Sequence, residues 1–144
     1  KAQAVKAYLE DLQAMTDDKV ILASDTLISF NGQSVGKPED KADSKRILTM
    51  LSGKTHDVLT AICVLDNAQQ QTQVITTSVT FAALTDEQID AYWETGEPAD
   101  KAGSYAIQGI GGEFVVSING SASAVIGLPL YETRQLLNAF GVVS

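Results

Sequence analysis

The chain has 144 residues, enough for one domain with a proper core. Hydrophobic residues make up 44% and charged residues 19%, the profile of a folded chain and not of a disordered one. The formal net charge of −8 argues against a nucleic-acid polymer as partner, because binding a duplex needs a basic face. A small polyphosphate remains compatible if a divalent cation and a few local cations neutralise it.

From the N-terminus, "KAQAVKAYLEDLQAM" places Ala4, Val5, Tyr8, Leu9, Leu12 and Met15 at helical spacing. The run "VILA" at residues 20–23 is apolar and mostly branched, which predicts a short buried strand ending at "SDT". "FNGQSVGKPED" predicts a hairpin around Asn31-Gly32, and then a helix that Asp40 caps. Ile47, Leu48 and Leu51 would face the core from that helix, and Gly53 would stop it.

"HDVLTAICVLD" and "TQVITTSVTFAAL" predict two strands joined by the polar turn "NAQQQ". Cys63, the sole cysteine, sits in the first of these and reads as a small buried hydrophobe. "TDEQ" has capping-box form, opening a helix with Ile89, Tyr92 and Trp93 on one face and Gly96 at its end. The glycine-rich stretch 96–114 follows, with Tyr105 and Ile107 expected to anchor a short strand. "FVVSI" predicts another strand, "ASAVIGLP" an extended return, and "LPLYETRQLLNAF" a closing helix with Pro129 near its first turn. Together these elements predict a single α/β domain, residues 1–144, built on one twisted sheet.

Several residues have the chemistry for a site. Asp25 follows the first apolar run, where a carboxylate either holds a metal and polarises water or simply caps a turn. Thr26 beside it offers a hydroxyl. Lys37, fixed between Gly36 and Pro38, is either a phosphate contact or a solvated loop lysine. His56, the sole histidine, lacks zinc-ligand spacing and a triad signature, which points to a structural hydrogen bond. "GIGG" fits neither a Walker loop nor a dinucleotide fingerprint and is a weak phosphate signal. Gln108 has both a donor and an acceptor, the equipment for reading a base edge, with Asp100 and Lys101 shortly before it. Glu113 and Asn119 read as turn residues.

"SDTLISFNGQSVGKPEDKADSKRILTMLSGKTHDVLTAI" and "DKAGSYAIQGIGGEFVVSINGSASAVIGLPLYETRQLL" resemble the two sequence blocks of the Maf family of nucleotide pyrophosphatases. The shared pattern is Asp-Thr, G-K-P, L-S-G and H-x-V-x-T, then D-K-A-G-x-Y-x-I-Q-G and G-S-x-x-x-V-x-G-L-P-L, over nearly the whole chain. Ala61 departs from it, standing where many members have Gly. The resemblance implies a Maf/inosine-triphosphatase-like elongated α/β fold with a central cleft. It implies hydrolysis of dTTP or UTP to the monophosphate and pyrophosphate with Mg²⁺ or Mn²⁺. By position, Asp25 matches the metal-assisted acid that activates water, and Lys37 a phosphate-facing lysine. Thr26 and Gln108 match substrate-binding residues of the dTTP/UTP branch, and Lys101 and Asp100 are expected to line the same cleft. A cytoplasmic location, a homodimer, and no membrane or polymer partner are expected, the alternative function being a non-catalytic nucleotide-binding regulator of septum formation. The family's initial strand, its Ser-x-Ser-Pro-Arg-Arg phosphate loop, and a following glutamate and lysine have no counterpart upstream of "VILASDT", so a domain lacking that N-terminal segment is expected.

Overall fold

The computed structural model describes residues 20–142; the helix expected over residues 4–15 lies outside them. Five strands form one sheet in the order β2-β1-β3-β4-β5. These are β1 (Ile21–Phe30), β2 (Gln33–Val35), β3 (Thr55–Leu65), β4 (Gln70–Phe81) and β5 (Val115–Asn119). All four pairings are antiparallel.

β1 corrects the first strand expectation. It does not end at "SDT" but runs through it to Phe30, with Asp25 opposite Ala61 and Thr26 opposite Thr60. The polar residues interrupt the apolar run without interrupting the ladder, because backbone pairing with β3 continues whatever the side chains are. Nor is the first segment fully buried, since Leu22 is exposed. The turn into β2 is as expected: Asn31 and Gly32 both have positive φ, 52° and 78°, as a two-residue hairpin of this hand requires.

Helix α1 (Lys41–Leu51) starts at Asp40, whose carboxylate accepts from the Asp43 N–H at 2.8 Å. Helix α2 (Asp86–Glu94) starts at the expected capping box of Thr85 and Gln88. Both helices pack one face of the sheet. Ile47, Leu48 and Leu51 of α1 and Ile89 and Tyr92 of α2 meet Ile28, Val58, Val79 and Phe81 in one core. The turn between β3 and β4 is shorter than expected, because the strand already begins at Gln70. Asp66 Oδ1 closes it by accepting from the Ala68 and Gln69 N–H groups, both at 2.8 Å.

Two further expectations fail after α2. No strand forms around Tyr105 and Ile107. The chain instead coils through three short 3-10 turns, Glu97–Asp100, Ala102–Ser104 and Ile110–Phe114. Positive φ at Gly103 and Ser104, 74° and 64°, is incompatible with an extended strand there. "ASAVIGLP" is no extended return either. It forms helix α3 (Ala122–Ile126), capped by Ser121, whose hydroxyl accepts from the Ala124 N–H at 3.1 Å. Gly127 at φ 132° ends it, and α4 (Leu130–Ala139) follows directly after Pro129. No helix among the described residues is long and apolar enough to cross a membrane.

Candidate functional site

Strand pleating puts Thr26 and Ile28 of β1 on the same face as Val58 and Thr60 of β3. On that face the sheet floors a cavity of about 200 Å³. One wall is the coiled segment with Lys101, Tyr105, Ile107 and Gln108; the other is α3 with Val125 and Ile126. The cavity therefore brings together three of the residues singled out in the sequence, Thr26, Lys101 and Gln108.

Hydroxyl groups fasten the α3 wall to the sheet. Thr60 Oγ1 donates to the Ala124 carbonyl at 2.6 Å, and Ser24 Oγ to the Gly127 carbonyl at 2.5 Å. Thr77 Oγ1 accepts from the Ser121 N–H at 3.1 Å. Thr26 Oγ1 lies 3.4 Å from Thr60 Oγ1, so the cavity-lining hydroxyl is continuous with this fastening. Thr60 and Thr77 are fully buried; Thr60 closes the H-x-V-x-T motif, whereas nothing in the sequence sets Thr77 apart from the other threonines of β4.

The coiled wall is fastened on its other side. The Gly103 N–H donates to the Gly36 carbonyl at 3.0 Å, binding this wall to the "GKP" loop. Ser44 Oγ of α1 meets Ser104 Oγ at 2.5 Å in a buried seam. His56 Nε2 pairs with the Tyr105 hydroxyl at 2.7 Å, the structural hydrogen bond expected of it. Burial pushes the Tyr105 phenol well up and the His56 imidazole down to about 4, although Asp57 acts upward on His56.

Charge gathers at the mouth. Lys101 Nζ contacts Asp100 Oδ1 at 2.7 Å and holds that carboxyl below its ordinary value, with Lys37 contributing at longer range. Lys37 acts on Asp100 only through space and does not line the cavity. Asp25 is placed differently. It occupies the alternate pleat position from Thr26, opposite Ala61, and its Oδ1 accepts from the Thr26 N–H at 3.1 Å. The carboxylate is exposed and folds back along its own strand, outside the cavity lining.

The "GIGG" amides do not face the cavity as a phosphate cradle. The N–H groups of Ile110 and Gly111 donate to the carboxylate of Glu97, a residue no local spacing in the sequence singled out. Glu113 belongs to the last 3-10 turn and Asn119 to the end of β5. Cys63 is buried on the opposite sheet face from the cavity, against Leu65, Ile21 and Ala23. Among the described residues no three His, Cys, Asp or Glu side chains converge on a metal position, so Asp25 alone does not make a protein-built metal site.

The sheet face, flanked on both sides by separately fastened walls and with Lys101 in its lining, defines an α/β protein with a cleft of the kind that holds small molecules in other proteins. A family model described as "Maf-like protein" matches residues 1–140, and the chain belongs to that Maf family. It is 53% identical over 143 residues to the dTTP/UTP pyrophosphatase of Colwellia psychrerythraea, covering 99% of this chain and 66% of that protein. To the dTTP/UTP pyrophosphatase of Vibrio vulnificus it is 50% identical over 129 residues, 90% of this chain and 69% of that one. The enzyme of the same name from Shewanella oneidensis is 47% identical over 143 residues, 99% of this chain and 72% of that one. The chain thus spans about two thirds of the length of these curated relatives.

Proposed function

We propose that this chain carries the nucleotide cleft of a nucleoside triphosphate pyrophosphatase that takes dTTP and UTP and releases the monophosphate and pyrophosphate. The observation that carries the proposal is that Thr26, Lys101 and Gln108 line one and the same cavity, in a chain about half identical to proteins named for this activity. Gln108 offers its amide to the edge of the pyrimidine, where donor and acceptor face the ring's own carbonyl and N–H. Thr26 donates from the cavity floor to the bound nucleotide. The triphosphate runs out towards Lys101 and Lys37, whose ammonium groups offset its charge.

By its place in the family pattern, Asp25 takes the proton from a water attacking the α-phosphorus in line; because its side chain lies on the sheet face away from the cavity lining, this requires the triphosphate to extend past the cavity edge to that face. The new bond is water oxygen to phosphorus, the broken one is from the α-phosphorus to its bridging oxygen, and pyrophosphate leaves. A divalent cation, Mg²⁺ or Mn²⁺, supplies further charge neutralisation when bound. Because a cation of this kind takes one or two carboxylates together with phosphate oxygens and water, Asp25 as a single protein ligand is compatible with it. The cytoplasm is the setting we take by default, and a homodimer is the assembly the family resemblance implies.

The experiment is pyrophosphate release by the full-length protein with Mn²⁺ over a panel of nucleotides. We expect dTTP and UTP to be turned over well ahead of CTP and the purine nucleotides. Asp25→Asn should lower turnover by about a hundredfold or more while the thermal midpoint stays unchanged. Binding of UTP without release would replace the enzyme by the non-catalytic regulator, and near-normal turnover by the variant would remove Asp25 from the chemistry.

A further inference from the structure

Glu97 lies at the start of the first 3-10 turn, and its carboxylate is satisfied by the chain's own donors. The Tyr92 hydroxyl donates to Oε2, and so does the Gly111 N–H at 2.9 Å. Ile110 N–H donates to Oε1 at 3.0 Å. Desolvation acts upward on this carboxyl, but the Tyr92 hydroxyl and the two amides outweigh it and hold the group below its ordinary value. The Tyr92 oxygen in turn accepts from the Ala106 N–H at 3.1 Å.

The glycines are shaped to this arrangement. A Cβ on Gly109 would stand 1.9 Å from Glu97 Oε1, and one on Gly111 would stand 2.6 Å from the Tyr92 oxygen. Both contacts are far inside van der Waals distance, so the glycines let the backbone close around Glu97 and Tyr92. The wall is therefore pinned at Ala106 by Tyr92 and at Ile110 and Gly111 by Glu97. Between the pins lie only residues 107–109, and two of them, Ile107 and Gln108, line the cavity.

We infer that Glu97, backed by Tyr92, is a positioning residue that sets where Gln108 presents its amide to the base, and hence how sharply the site selects its nucleotide. This rests on Gln108 being the base reader of the proposed function. Glu97 does not touch the ligand; it acts by fixing the short span that carries Gln108. Glu97→Gln keeps size and shape but cannot accept from the Tyr92 hydroxyl and both the Ile110 and Gly111 N–H groups at once without setting its NH₂ group against one of them, so the span loosens.

The test is a cycle in the full-length protein with E97Q, Q108A and both together, read as UTP and CTP dissociation constants by calorimetry and as KM and kcat. E97Q should weaken UTP about ten- to a hundredfold, since a small misplacement of a contacting group is enough for that. It should narrow the preference for UTP over CTP and leave kcat within about twofold. Added to Q108A, it should cost nothing further, because both changes remove the same contact. Y92F should act in the same direction. Amide NMR of E97Q should show the Ile110 and Gly111 signals displaced and the remaining spectrum in place, which separates a local from a global loss. An unchanged UTP affinity in E97Q overturns the inference, as does an equal loss in the wild-type and Q108A backgrounds. If Q108A itself leaves affinity and preference untouched, the assignment of the base reader fails and this inference falls with it. Because dissociation constants do not require turnover, an absence of pyrophosphate release would count against the proposed activity alone.

Discussion

His56 Nε2 and the Tyr105 hydroxyl, 2.7 Å apart in the buried interior, tie the central strand β3 to the wall of the cavity. The imidazole is held neutral there by desolvation, at about 4 against an ordinary 6.5. The sign follows directly. Between those two values the unfolded chain binds a proton that the folded one refuses, so stability is full above about 6.5 and falls as the pH drops towards 4. One such group contributes about 3 kcal/mol across that window. The chain has a single histidine, so its ring-proton NMR signal is unambiguous. We expect no titration of that signal between pH 5 and 7, and a midpoint near 6.5 would contradict the assignment.

Tyr105→Phe removes the hydroxyl and keeps the ring, which packs edge-on against Phe81 with centroids 4.7 Å apart. His56 Nδ1 already has no partner in the interior, and the variant would deprive Nε2 of its own. A buried polar group left without a partner costs about 1–3 kcal/mol, the loss expected by urea denaturation.

Gly103→Ala and Gly96→Ala form a matched pair. Both glycines have positive φ, 74° and 79°, and each substitution costs about 1–2 kcal/mol from the backbone alone. An alanine Cβ at Gly96 meets nothing within 4 Å, whereas at Gly103 it would stand 2.5 Å from Ile28 Cδ1. G103A should therefore be the less stable by equilibrium unfolding. It should also weaken nucleotide binding, because Ile28 forms part of the cavity floor. Equal losses would mean that the floor and wall are not in the contact described.

Lys101→Met separates binding from folding. The Lys101–Asp100 pair is largely exposed, so its loss should change stability by less than about 1 kcal/mol. A charge-assisted contact to a phosphate is worth about 1.5–3 kcal/mol, which is about tenfold or more in affinity. Calorimetry with UTP in parallel with thermal melting reads both quantities. A large fall in melting temperature would make Lys101 structural instead.

Local chemistry was legible from the sequence wherever one element decides it. The Asn31-Gly32 hairpin, the Asp40 and Thr85 caps and the core stripe of α1 follow from side chains acting on their own backbone neighbours. The continuation of β1 through Ser24, Asp25 and Thr26 did not, because a partner strand imposes it from outside the segment. "ASAVIGLP" misled for a similar reason. Its branched residues suggest extension, while the Ser121 cap and the hydroxyls of Thr60 and Thr77 hold it as a turn of helix against the sheet.

The site divides the same way. Thr26, Lys101 and Gln108 carry motifs that the resemblance could match, and they share a cavity. Glu97 is invisible to such matching, since its partners at Tyr92, Ile110 and Gly111 are brought to it only by the coiling of the wall. The glycines of "GIGG" read as a weak phosphate signal, whereas Gly109 makes room for the Glu97 carboxylate, Gly111 for the Tyr92 hydroxyl and Gly112 for the Ile107 carbonyl.

The fastening of α3 also bears on how such a protein can diversify. Ser24 and Thr60 hold this wall by its carbonyl oxygens, and Thr77 by an amide; these atoms are present whichever side chains follow. Ile126, which lines the cavity and is exposed, takes no part in these hydrogen bonds, whereas Val125 lines the cavity and also packs against the core. Substitution at Ile126 can thus reshape the chamber for a differently shaped guest while the backbone fastening of its wall stays in place.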